Sequence, residues 1–412
     1  MTTPPVAPAP TRLVSLDALR GFDMLWILGA DALVPAICAL SDSRPARILA
    51  GQFEHKSWAG FGFYDLIFPL FVFIVGVSLV FSLSSLLERT DRATAVKRVL
   101  RRAALLFVLG IFYNGGFTHL WPDVRVAGVL QRIAFAYAAA GLLFCFCKPR
   151  VLAAITVFLL VGYWAVMSFV PIRDFSLERQ AILSRWPAPA SHPHALPDRA
   201  VVESALQATE QRVTGRFEPG LNVADHLDFK ILPGRGYDGF YDPEGVLSTI
   251  PAMATCLLGV FAGLRLRRKD VSDANKLKAL IIGGLLCLLA GWLWNFQFPV
   301  IKKIWTSSFV LVAGGWSFLF LALFYYIVDV RQRRGWGRPF VWVGMNPITL
   351  YLVSAVLSFH EVARRLVGGS VQAWLNERVV RGGGEIVIEV TQVLLILLLA
   401  RFLYQRKIFL RV

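Results

Sequence analysis

Apolar residues gather into long blocks along this chain, and the polar residues between them form short, mostly basic runs. Ten blocks read as spans: 15–40, 62–87, 98–117, 125–147, 150–170, 246–265, 278–297, 304–328, 340–361 and 384–406. Their lengths sit near the ~20 residues that a helix needs to cross a hydrocarbon core roughly 30 Å thick. The pattern therefore predicts an all-α polytopic membrane protein of about ten transmembrane helices. It divides the chain into a flexible cytoplasmic tail over 1–14 and a single transmembrane domain over 15–412. One long polar segment, 171–245, interrupts the spans, and a connection of that length is usually functional or disordered. Its end, 234–245, is turn-rich and aromatic; aromatic and carboxylate side chains together suit a sugar face and equally suit an interfacial belt. No strict internal repeat is visible, which weakens an inverted-repeat transporter reading.

Composition sharpens this picture. Of 412 residues, 56% are hydrophobic, above the roughly 45–50% of soluble domains. The net charge of +16 would fit a nucleic-acid partner, but the Lys and Arg lie in runs between apolar blocks. Arg89–Arg102, Lys148–Arg150, Arg265–Lys269, Arg331–Arg338 and the C-terminus all fall on one side of an even number of spans. Positive loops mark the cytoplasmic side, so both termini are expected there, with 171–245 facing outward. The same loops could also draw a phosphate-rich cytosolic ligand. The N-terminus is Pro- and Ala-rich without a basic stretch, so no cleavable signal peptide is expected. The five cysteines lie in or beside apolar blocks, and neither a disulfide framework nor metal-ligand spacing is seen.

Charges inside spans carry the chemistry, since each costs several kcal/mol unless paired or wetted. Asp17, Arg20, Asp23 and Asp31 fall within roughly a 120° arc at about 100° per residue, so one face of the first span looks into the protein. Asp17 and Arg20 suit a structural polar face, and Asp31, farther along, is the functional candidate. His55 stands at the outer boundary just before a helix bearing Asp65. An imidazole there can act as general base or as nucleophile, with Asp31 or Asp65 orienting the ring; taken alone, a His beside Trp58 at an interface is more often structural. Gln131, Arg132 and Asn346 are further intramembrane polar residues. Arg132 offers a fork suited to phosphate or carboxylate, or a partner for a first-span aspartate. Asn346-Pro347 reads as a helix break facing protein or a wet cavity. Lys302 and Lys303 stand just outside the eighth span.

The segment Ser15-Leu16-Asp17-Ala18-Leu19-Arg20-Gly21-Phe22 resembles the opening motif of the heparan-α-glucosaminide N-acetyltransferase family of transmembrane acyltransferases. The resemblance continues through His55-x-x-Trp58-x-Gly60, Asp65–Gly76, Arg125–Ile133, Phe240–Ile250 and Gly344–Pro347, in family order over most of the chain. It resembles the compact bacterial-type form, without a long N-terminal luminal portion. The resemblance implies transfer of acetyl from cytosolic acetyl-CoA to an amino sugar or glycan across a bacterial inner membrane, with no metal. It implies that His55 is catalytic, and it suggests a homodimer. On this reading Asp31 and Asp65 tune His55, and Arg132, Gln131 and Asn346 face acetyl-CoA. Trp58, Asp242 and Glu244 face the acceptor. The expected partners are that acceptor and membrane lipid, not nucleic acid. The rivals from other classes are a secondary transporter for a sugar or sugar derivative and a structural partner in an envelope assembly.

Overall fold

The computed structural model describes residues 13–116, 118, 120, 123–188, 192 and 195–410. The tail before residue 13, His119 and His194 lie outside the described residues. In chain order, α1 (Val14–Ile27) stops at Gly29, whose φ of +116° a side-chain-bearing residue rarely adopts. A 3₁₀ turn and α2 (Leu33–Cys38) continue at 71° to α1. The first predicted span is thus broken, and Asp31 does not continue the face of Asp17, Arg20 and Asp23. After α3 (Arg44–Ala50) come α4 (Phe63–Leu87), α5 (Arg92–Tyr113), α6 (Val129–Phe146) and α7 (Pro149–Phe169).

The long polar segment is folded. It holds β1 (Ile172–Arg173), α8 (Arg179–Arg185), α9 (Arg199–Ala208), β2 (Arg212–Val213) and α10 (Val223–Ile231), with the two short strands antiparallel. Phe175, Leu177, Ile182, Val202, Phe229 and Tyr241 form a small core of its own. Then follow α11 (Val246–Arg267), α12 (Asp273–Trp294) and α13 (Ser307–Phe324), the last prolonged by a π turn to Val330. α14 (Arg334–Gly344) and α15 (Pro347–Val356) bend by 55° at Asn346, where the break was expected. Short α16 (Phe359–Val367) and α17 (Ser370–Arg378) precede α18 (Gly383–Gln405).

Among the described residues, seven helices are long and apolar enough to cross a membrane, or up to nine when each bent pair counts once. The tenth expected span is α5. Its 22 residues would reach about 33 Å at 1.5 Å each, but Arg92, Lys97, Arg98, Arg101 and Arg102 occupy its first half. Charge, not length, separates it from the rest.

Two sets of loops lie at opposite ends. At one, Glu88 pairs with Arg267, and Tyr325 donates to Asp273 at 2.6 Å. At the other, Gly60 N–H donates to Val300 O at 2.8 Å, Trp58 Nε1 to Phe217 O at 2.7 Å and Asn114 Nδ2 to Ala127 O at 3.0 Å. Close helix crossings hold the bundle between them. A Cβ built on Gly76 of α4 would stand 2.0 Å from Cys256 O of α11, and one on Gly259 of α11 would stand 2.0 Å from Phe73 O of α4. Small residues at such reciprocal positions let backbones touch, a packing mode that membrane helices favour.

Candidate active site

Asp65 organises the site from the N-terminus of α4. It is the third residue of the helix, and its Oδ2 accepts the Gly62 N–H at 3.1 Å and the Lys56 N–H at 3.4 Å. Capping thus satisfies otherwise orphaned donors and fixes the carboxylate. Its other oxygen lies 3.0 Å from His55 Nδ1. Asp65 is buried, whereas the His55 side chain is 56% exposed. The imidazole therefore has one nitrogen tied to a fixed carboxylate and the other free to meet a ligand.

Two further groups complete the surroundings of the ring. Tyr64 stacks on it, with centroids 4.6 Å apart and planes at 29°. Lys302 comes from the loop between α12 and α13, with Nζ 3.0 Å from His55 Nδ1 and 3.4 Å from Asp65 Oδ1. An antiparallel bridge between Ala59 and Ile301 joins the two loops and brings in the lysine. Burial pushes the Lys302 ammonium below the ordinary lysine value, and Asp65 opposes that push.

These side chains open onto a cavity of about 330 Å³, lined also by Arg125, Arg132, Glu244, Lys303, Trp305 and Tyr351. Arg125 donates to both oxygens of Asp242 at 2.8 Å and to Glu244 at 2.7 Å. Burial works against the charge on Asp242, but the bonds from Arg125 prevail and hold its carboxyl below the usual range. Burial pushes Glu244 up, with Arg132 opposing. Lys303 is paired with Asp238 at 2.8 Å. Trp305 has φ +49°, a conformation uncommon for a bulky residue, and its ring lies 4.6 Å under the guanidinium of Arg132. A smaller apolar cavity lies beside the first and shares Ile27, Phe68, Val129 and Tyr351 with it.

The structure thus brings His55, Asp65, Arg132 and Glu244 into one cavity wall. Arg132 is buried, and its Nη2 donates to Pro243 O at 2.6 Å and to Ser248, not to a first-span aspartate. Asp31 accepts a hydrogen bond from Tyr64, and its charge also acts directly on His55. Asp242 lies behind the wall as the anchor of Arg125. Trp58 packs against the folded segment between α7 and α11 and is not among the residues lining the cavity. Gln131 and Asn346 are also buried outside that lining, and neither side-chain amide has a hydrogen-bond partner among the described residues. Asp17 and Arg20 pair at 3.1 Å, and Arg20 also reaches Gly344 O and Ser78, in keeping with a structural polar face.

Sequence reasoning did not assign roles to Lys302, Tyr64 and Arg125. A signal existed for Lys302: two adjacent lysines in a short loop at the edge of an apolar span.

Residues 12–179 match the family model described as heparan-α-glucosaminide N-acetyltransferase, catalytic. The chain is 28% identical over 343 residues to heparan-α-glucosaminide N-acetyltransferase of Mus musculus, covering 74% of this chain and 49% of the relative. It is 28% identical over 333 residues to the Homo sapiens protein of that name, covering 73% and 48% respectively. The chain spans about half the length of the curated relatives it matches. The region of this integral membrane protein that is similar to the heparan-α-glucosaminide N-acetyltransferase catalytic model carries both His55 and Asp65.

Proposed function

We propose that the chain is a transmembrane acetyltransferase that moves acetyl from acetyl-CoA to the amino group of a sugar or glycan. The observation that carries this reading is the His55–Asp65 pair, its exposed ring opening onto a cavity lined by charged and aromatic groups. With its proton on Nδ1, facing Asp65, the ring turns the Nε2 lone pair to the ligand.

That lone pair supports two routes with the same balance. As a base, Nε2 takes a proton from the acceptor amine while its nitrogen attacks the thioester carbonyl. The C–S bond breaks and CoA leaves as thiolate, which takes up the proton. As a nucleophile, Nε2 first accepts the acetyl with loss of the thiolate, and the amine then displaces it from the ring. Glu244, on the cavity wall, is placed to meet an ammonium or a sugar hydroxyl, and Trp305 and Tyr351 offer apolar faces.

The basic loops at the end remote from His55 lie in the cytoplasm on this reading, in a bacterial inner membrane, with acetyl-CoA arriving from that side. Cysteine labelling of residues 171–245 from the outside only is the expected topology result. The test of function is acetyl-CoA turnover by the purified protein with glucosamine as acceptor. His55→Ala should remove transfer while leaving acetyl-CoA binding. Turnover retained by that variant overturns the role of His55. Acetyl-enzyme isolated without acceptor marks the nucleophilic route, and its absence during turnover marks the direct one.

A further inference from the structure

Two hydrogen bonds at His55 exclude each other. Asp65 Oδ1 and Lys302 Nζ both stand 3.0 Å from the same ring nitrogen, Nδ1. A ring nitrogen carries either a proton or a lone pair in its plane, never both. Donation to Asp65 needs the proton on Nδ1, whereas acceptance from a Lys302 ammonium needs the lone pair there. We infer that Lys302 is a positioning residue that selects the tautomer of His55, and so decides whether the cavity meets a base or an N–H. This inference rests on the acyl-transfer reading above for its kinetic consequence, though not for the tautomer itself.

The proton count follows. With Lys302 charged, its ammonium donates to Nδ1, the ring proton sits on Nε2, and the nitrogen facing the cavity has no lone pair. When Lys302 gives up a proton to solvent, Nδ1 no longer has a cationic donor. The ring proton then sits on Nδ1, donating to Asp65, and Nε2 becomes a base or nucleophile. One proton leaves Lys302 and one shifts across the ring; no other co-reactant is needed.

The groups around the pair define its charge. Tyr64 and Asp65 face the ring from α4, Asp31 acts on the ring by its charge and through Tyr64, and Lys56 lies on the ring's own loop. Lys302 faces Asp65 and, farther off, Glu244. Burial lowers the proton affinity of Lys302, which brings its release toward the working range of an enzyme.

Two substitutions separate this role from simple charge support. Lys302→Met removes the competing donor and leaves Asp65 its bonds to His55, Gly62 and Lys56. Lys302→Arg keeps a cation that does not release its proton. The tautomer is read by ¹⁵N resonance of ¹⁵N-histidine-labelled protein in detergent, the His55 signal being identified by its loss in His55→Gln. Wild type should move from Nε2–H to Nδ1–H as pH rises, Lys302→Met should hold Nδ1–H, and Lys302→Arg should hold Nε2–H. In kcat/KM against pH, Lys302→Met should shift the rising limb down by about one pH unit, and Lys302→Arg should lose about 100-fold throughout.

Charge support alone predicts the reverse, with Arg rescuing and Met failing; that result, or one tautomer in all three proteins, overturns the inference. If wild type shows no His55-dependent transfer, the acyl-transfer reading falls, and the ¹⁵N spectra still decide the tautomer.

Discussion

Arg125 holds Asp242 by two hydrogen bonds of 2.8 Å across 117 residues of sequence, tying the segment before α6 to the turn before α11. The fork geometry is one that Arg alone supplies. Asp242 is 2% exposed, so truncating Arg125 strands a buried carboxylate. Breaking a fully buried pair costs about 3–5 kcal/mol, and Arg125 is partly exposed, so Arg125→Ala should cost about 2–4 kcal/mol. Arg125→Lys should fall between it and wild type. Thermal unfolding of the purified proteins checks this, and an Arg125→Ala melting point equal to wild type sinks it.

Asp65→Asn keeps the size of the side chain but not its charge. The expected result is a fall in kcat of about 10²–10⁴-fold, the worth of an oriented base, with KM for acetyl-CoA little changed. Steady-state kinetics at two acceptor concentrations checks it. A KM effect without a kcat effect would recast Asp65 as a binding group.

A hydrogen bond joins Tyr64 to Asp31 beside His55. Tyr64→Phe keeps the ring stack but removes the hydroxyl, and Asp31→Asn removes the charge that the hydroxyl meets. Each should lower kcat by about tenfold, near the worth of one hydrogen bond to a charged group. The double variant should cost no more than either single one, the mark of residues acting in series. Additive losses would mean two separate roles.

Two carboxylates in α10 make the folded segment between α7 and α11 sensitive to pH. Burial pushes Asp228 up to about 7 and Asp225 to about 8. Unfolded aspartates release their protons near 3.9. Between roughly pH 4 and 8 the folded state therefore holds more protons than the unfolded, and stability falls as pH rises. Its contribution is fully present below about pH 4 and lost as pH climbs through the folded values. Asp242, held low by Arg125, has the opposite sign and matters only in stronger acid. The melting temperature should drop between pH 5 and pH 8, and Asp228→Asn should flatten that slope. A slope unchanged in the variant would remove Asp228 from the account.

Local relationships were the ones legible along the chain. His55 and Asp65 are ten residues apart at a loop–helix junction, and Asp17 and Arg20 are three apart on one helix. Both pairs could be read because a short separation along the chain keeps them near. Lys302 could not be, because its place depends on the Ala59–Ile301 bridge between two distant loops. The break at Gly29 was equally hidden: one glycine inside an apolar run does not announce a left-handed backbone, whereas Asn346-Pro347 does announce a stop. Gln131 and Asn346 were read as ligand-facing because intramembrane polarity is costly, but polarity does not say which way a side chain points.

The bridge between Ala59 and Ile301 also sets a schedule for synthesis. The stretch matched by the family model ends at residue 179, and it carries His55, Tyr64, Asp65, Arg125 and Arg132. Glu244, Lys302, Lys303 and Trp305 come from beyond it. A ribosome that has delivered the histidine into the membrane must add about 300 more residues, through Tyr351 of α15, before the lining of its chamber is complete. During that interval the nascent chain holds only part of the cavity lining, and Tyr351 on α15 is the last lining residue named above to emerge.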